Sequence, residues 1–362
     1  SGASLLDADV TTSGTQTYSA AITLGTAART LQGTTVQTTT INGAQNLTIT
    51  GILDLNGAIG ASTRVGVLSV SGASNLGANV LSNGTQTYTG AVTLSADITL
   101  TSSDDQFTFS STVQSDDTAR DLTLNSGTAT IGITGAIGGN SKPLDVLTIT
   151  QSGGVTFSGA INADTVTLTD TTGSVTFAGS TVLETLNTAD QDYNVIFNGS
   201  TNTFADAVTF SNTGYITFGN ASDDSSTFDN GLTTAAPSEI RLAGTLQTSN
   251  DAMTVGTAVV LYANSILNTG SAALTVGSTV DGGYTLDLNS TAATTFSGIV
   301  GSSTALTAIT TNSGGTVVFN TTAITTNGVQ TYNDAATLGD NITFTTTGNN
   351  IVFGSTLNSV SS

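Results

Sequence analysis

The chain has 362 residues, of which 8% are charged, against about a quarter in ordinary globular proteins, and its 25 acidic and 5 basic residues give a net charge of −20. The cations Arg29, Arg64, Arg120, Lys142 and Arg241 are scattered, so the clustered contacts that bind nucleic acid or an anionic membrane surface are not expected. Cysteine and histidine are absent, which excludes disulfides, thiolate metal sites and nucleophilic triads built on either residue.

A hydrophobic fraction of 37% and only two prolines argue for a chain that buries a core. No apolar run approaches the roughly 18 residues of a membrane span, and no charged segment followed by an apolar run opens the chain as a signal peptide would. Membrane insertion is not expected.

No segment shows a helical period. In chain order, the phrase SGTQTYSAAITL (13–24) comes first, then the phrase Gly57-Ala58-Ile59-Gly60 followed by Val67-Leu68-Ser69-Val70. NGTQTYTGAVTLSADITL (83–100) restates the first phrase. Triplets with apolar residues two apart follow: Val92-Thr93-Leu94, Ile98-Thr99-Leu100, Phe107-Thr108-Phe109, Leu122-Thr123-Leu124, Leu147-Thr148-Ile149, Val155-Thr156-Phe157, Val166-Thr167-Leu168, Val175-Thr176-Phe177 and Ile216-Thr217-Phe218. Each is a short strand with its outer residues on one face and its threonine on the other. Gly, Asn, Asp and Ser between them supply turns. The second phrase returns as Gly135-Ala136-Ile137-Gly138 and Ser297-Gly298-Ile299-Val300-Gly301, a variant of the first spans Phe204–Phe210 and Tyr215–Gly219, and NGVQTYNDAATLGDNITF (327–344) closes the series.

Tyr88 precedes Phe109 by 21 residues, as Tyr332 precedes Phe353. The recurrence predicts an all-β, right-handed parallel β-helix of roughly 15–18 turns, each of about 20–25 residues with two or three short strands. Coils about 4.8 Å apart would make a rod of roughly 70–85 Å. The expectation is one continuous solenoid over 1–362, a fragment of a longer repetitive protein; no capping element is evident at Ser1 or Ser362. A row of sandwich domains of about 100 residues would need a more regular repeat.

The phrases NGTQTYTGAVTLSADITLTS, FTFSSTVQS, DLTLNSGTATIGITGAIGG and LTITQSGGVTFSGAI resemble the strand repeats of filamentous-haemagglutinin-like adhesins and related β-strand-repeat bacterial exoproteins. The resemblance covers essentially the whole chain. It implies a right-handed parallel β-helix, outer-membrane translocation by a two-partner or autotransporter route, and a role in attachment, biofilm or a surface layer. It carries over no catalytic residue, and the secretion domain of that family is not recognisable here.

Acidic pairs at Asp104-Asp105, Asp116-Asp117 and Asp223-Asp224, and Asp190 with Asp192, are the chemical candidates. Hydrolysis would need carboxylates from different turns to converge. Calcium needs six to eight oxygens, and Asp104, Asp105, Asp116, Asp117, Asp223, Asp224 and Asp229 are its candidate ligands; Asp104-Asp105 and Asp116-Asp117 are read as two turns about one rung apart, which stacking could bring together. No cofactor is required by any motif. Sequons at Asn46, Asn83, Asn198, Asn220, Asn289, Asn320 and Asn341 are expected from composition alone. Tyr18, Tyr88 and Tyr332 share one place in the phrase and read as corner tyrosines, with a sugar-stacking platform as the alternative.

The function expected is structural and non-enzymatic: an extracellular stalk, fibre or matrix layer of a bacterial surface, associating with itself or with further repeats of the same chain. A direct adhesin for host or glycan ligands is the second reading, a polysaccharide-processing enzyme the third.

Overall fold

The computed structural model describes residues 4–139 and 142–360. Ser1 and Ser362, from which continuation is expected, lie outside the described residues. The chain is an all-β parallel solenoid of about 17 turns, with no helix among the described residues. It divides into two compact units, 1–179 and 180–362.

In the first unit each coil has three faces. Strands Ile98–Thr101, Phe107–Phe109 and Val113–Ser115 make one coil. The strands Leu122–Asn125 and Thr130–Ile133, with a single-residue bridge at Ile137, make the next. Every pairing is parallel to the same face of the neighbouring coil. The period-two pattern therefore becomes vertical files. On the second face, Val10, Leu31, Ile49, Val70, Tyr88, Phe109, Ile133, Phe157 and Phe177 stack inward over nine coils. Thr48, Ser69, Thr87, Thr108, Gly132, Thr156 and Thr176 form the outward file beside it. No coil can bury its apolar row alone, so each supplies a wall for the next, and full burial of one such side chain contributes about 1.5–3 kcal/mol.

The second unit repeats the scheme. Val208, Leu232, Met253, Leu274, Thr294, Val317, Ala336 and Leu357 form one inward file over eight coils. Val195, Ile216, Ile240, Val259, Val280, Val300 and Ile324 form another. Five phenylalanines interleave in its first coils: Phe197, Phe204, Phe210, Phe218 and Phe228, with centroids from 4.5 Å (Phe204–Phe228) to 6.4 Å (Phe197–Phe210).

Coil length varies more than the sequence suggests. It is 17 residues from Val36 to Leu53 and 25 from Leu122 to Leu147. Several strands also run straight through a corner that the sequence reads as a break, such as Leu47–Leu55, Ile161–Thr171 and Val259–Gly270. Register shifts let the extended chain bend there without a separate turn, as between Gln32 and Thr35 and between Leu242 and Gly244.

Candidate functional site

The first recurring phrase builds a buried corner bracket. In its first copy the Tyr18 hydroxyl donates to Gln16 Oε1 (2.9 Å), and Gln16 Nε2 donates to the carbonyls of Val10 and Gln32. In the second, the Tyr88 hydroxyl donates to Gln86 Oε1 (3.0 Å), and Gln86 Nε2 reaches the Thr101 carbonyl and Ser82 Oγ, both at 3.0 Å, and the Val80 carbonyl (3.4 Å). In the last, Tyr332 donates to Gln330 Oε1 (3.0 Å), and Gln330 Nε2 to the carbonyls of Ile324 (3.2 Å) and Thr345 (2.8 Å). The amide thus ties the preceding strand of its own coil to the same face of the next coil. Four residues before each Gln, a hydroxyl (Thr12, Ser82, Thr326) donates to the carbonyl of the Gly two residues on and closes the turn.

Tyr88 and Tyr332 are fully buried and Tyr18 half-buried. The 21-residue spacing is one coil: Tyr88 pairs with Phe109 and Tyr332 with Phe353, the rings stacked at 5.2 and 5.3 Å. Burial pushes both phenol pKa values far above the ordinary range. Two rings enclosed in this way have no face to offer a sugar. In the variant phrase Asn202 and Phe204 take the inward places. Asn202 Nδ2 donates to the Gly199 carbonyl and Ser226 Oγ, but its buried Oδ1 has no partner among the described residues, because Phe204 lacks the hydroxyl.

The second phrase is a one-residue corner. Ile59, Ile137 and Val300 are isolated parallel bridges. The glycine after each, Gly60, Gly138 and Gly301, has φ of 78°, 66° and 72°, and a Cβ there would meet the carbonyl oxygen of Leu81, Asn162 or Thr325 on the next coil. Only glycine suits both conditions.

Asn and Asp side chains at other corners catch the next coil by its amides. Asn46 Oδ1 accepts from Val67 N, Asn79 from Thr99 N, Asp9 from Thr30 N and Asp97 from Asp121 N. In the second unit Asn250 accepts from Ser271 N, Asn264 from Thr285 N, and Asp281 from both Ser303 N and Thr304 N. These amides would otherwise lack a carbonyl partner where the ladder is interrupted.

The calcium candidates fall mostly into such roles. Asp104, at φ 61°, accepts from Thr128 N and Oγ1, and Asp105 shares a tight turn with Ser102 through its main chain. Asp116 is held by Arg120 in a two-point contact (3.1 and 3.0 Å), which, with the Thr118 amide, holds its carboxyl below the usual range. Asp117 pairs with Lys142 at 3.0 Å. Asp104-Asp105 follows the strand Ile98–Thr101 and Asp116-Asp117 follows Val113–Ser115, so the two pairs occupy different corners. Stacking does not bring them together. Asp224 is buried and accepts from the amides of Asn220 and Ala221, Asp229 accepts from Ser249 Oγ, and Asp223 is exposed. Among the described residues no three His, Cys, Asp or Glu side chains gather in a way that could hold a metal ion.

Sequence reasoning missed one cluster, on the outer side of the second unit. Arg241 lies over the ring of Tyr215, its guanidinium carbon 3.6 Å from the ring centroid, and its Nε donates to Glu239 Oε1 at 2.8 Å. Glu239 and Tyr262 both help hold its pKa above the ordinary value, the Glu239 bond most strongly. Tyr262 is 55% exposed and Tyr284, at the same corner of the following coil, 41%. The signal available was the coincidence of the second unit's sole cation with its tyrosines, but their spacing along the chain hides that they share a face. No family model matches the chain, and neither does any curated protein or solved structure.

Proposed function

We propose that this chain is a non-catalytic scaffold of a bacterial cell surface or extracellular matrix, whose work is to hold a stacked structure together. The observation that carries the reading is where the polar side chains are directed. The recurrent Gln–Tyr pairs and many of the Asn and Asp residues bond to the next coil or close its corners, and the threonines of the triplets form outward files. The extracellular placement rests on the resemblance of the strand repeats to filamentous-haemagglutinin-like exoproteins and on the acidic, lysine-poor surface.

Association with like coils is part of this reading. It rests on the coils sharing one parallel pairing scheme, coil after coil, because a strand edge of that kind accepts another like it. Electron microscopy and fibre diffraction of the native material test the proposal. Filaments or sheets with a reflection near 4.8 Å along their axis support it, whereas isolated particles that cleave a polysaccharide refute it.

A further inference from the structure

We infer that the outer surface of the second unit carries a binding site for a neutral glycan chain, formed by Tyr262, Arg241 and Glu239. This goes beyond the scaffold role. Thr217, Arg241, Val260 and Asp281 make one outward file on successive coils. Tyr215 and Glu239 lie two residues back from their file members, and Tyr262 two residues ahead of Val260, so all face the same way. From Tyr215 to Tyr262 the surface spans about 15 Å, the reach of several sugar rings rather than one.

The chemistry selects the ligand class. Arg241 is the only cation among thirteen Asp and Glu residues in 180–362. Its Nε is taken by Glu239 and its guanidinium carbon sits over the Tyr215 ring, while its two Nη groups have no protein partner among the described residues. The fork is fixed before any ligand arrives, so little side-chain entropy remains to be lost. A pair of sugar hydroxyls can accept from the Nη donors, and Glu239 can accept a hydrogen bond from a third hydroxyl. The exposed Tyr262 offers an aromatic face to the C–H side of a pyranose. Gly283, on the next coil, faces open space and puts no side chain over that ring. An anionic polysaccharide is disfavoured, because Glu239 already balances Arg241 and the surrounding unit is acidic.

Native affinity electrophoresis of the intact chain tests this, with hydroxyethylcellulose, xyloglucan, amylopectin and polygalacturonate cast separately into gels. At least one neutral polymer is expected to retard the protein and polygalacturonate is not. Tyr262→Ala should weaken retardation about two- to tenfold, Arg241→Met about tenfold or more, and Tyr262→Phe should keep it. Circular dichroism of each variant checks that the fold is retained, which the exposure of Tyr262 favours. The inference is overturned by no retardation in any neutral gel, by equal retardation of the wild type and both weakening variants, or by preferential retention on polygalacturonate.

Discussion

Replacing Gln86 by Leu keeps most of the side-chain volume and deletes the amide at the centre of the best-formed bracket. Three consequences follow from the geometry. The fully buried Tyr88 hydroxyl loses its acceptor at 3.0 Å, Ser82 Oγ loses a donor at 3.0 Å, and the Thr101 carbonyl loses a side-chain tie at 3.0 Å. An orphaned buried hydroxyl costs about 1–3 kcal/mol and a lost bond to a group that keeps another partner about 0.5–1.5 kcal/mol, so the expected loss is about 2–4 kcal/mol. Tyr88→Phe alone strands Gln86 Oε1 and should cost about 1–2 kcal/mol. With both groups gone neither orphan remains, so the double variant should be less destabilised than the two singles added together, by about 1 kcal/mol or more. Guanidinium denaturation followed by far-ultraviolet circular dichroism gives the cycle, and hydrogen exchange of the amides in Ile98–Thr101 and Phe107–Phe109 shows whether the loss is local to the bracketed coils. Strict additivity of the two substitutions would refute the reasoning.

Converting the variant phrase to the full one, Asn202→Gln with Phe204→Tyr, should supply the missing acceptor–donor pair and raise stability by about 1 kcal/mol in the same denaturation assay. Gly138→Ala should destabilise by about 1–3 kcal/mol, because a Cβ at φ 66° meets the Asn162 carbonyl; a neutral melting curve would contradict the corner described. Asp281→Ala should release the amides of Ser303 and Thr304 and speed their exchange, at a cost of about 1–3 kcal/mol. Acidification from pH 7 towards 4 should raise the melting temperature. Asp121 and Asp334 are both held above the ordinary carboxyl value, chiefly by burial and for Asp121 also by neighbouring Asp97 and Asp145, so the folded state binds protons first and gains stability as pH falls through their range. Asp116, held low by Arg120, loses its contribution only below its unfolded value near 3.8, where the gain should reverse.

The fold was legible because the period of two survives in nearly every triplet, and because the 21-residue intervals from Tyr88 to Phe109 and from Tyr332 to Phe353 are single coils. The corner tyrosines were legible from their shared place in the phrase. What Gln86 and Gln330 do was not, since a buried amide two residues from a tyrosine looks no different in sequence from an exposed one. The corners of the acidic pairs were hidden for a different reason. Coil lengths vary from 17 to 26 residues, so the twelve residues separating Asp104 from Asp116 are about half a coil rather than a rung. The Arg241 cluster was hidden likewise, because Tyr215, Arg241 and Tyr262 come from three coils and meet only through their register.

The stacking register itself is open to a direct measurement, since the absence of native cysteine gives a clean background. Thr87 and Thr108 are partners on adjacent coils of the first unit, and Thr254 and Thr275 on adjacent coils of the second, all facing outward at the coil spacing of about 4.8 Å, within disulfide reach. Thr87→Cys with Thr108→Cys, and Thr254→Cys with Thr275→Cys, should each close an intramolecular disulfide on mild oxidation, detected by mass spectrometry, while Ser69→Cys with Thr108→Cys, two coils apart, should stay reduced. Failure of both adjacent pairs, or equal closure of the two-coil pair, would contradict the stacked solenoid.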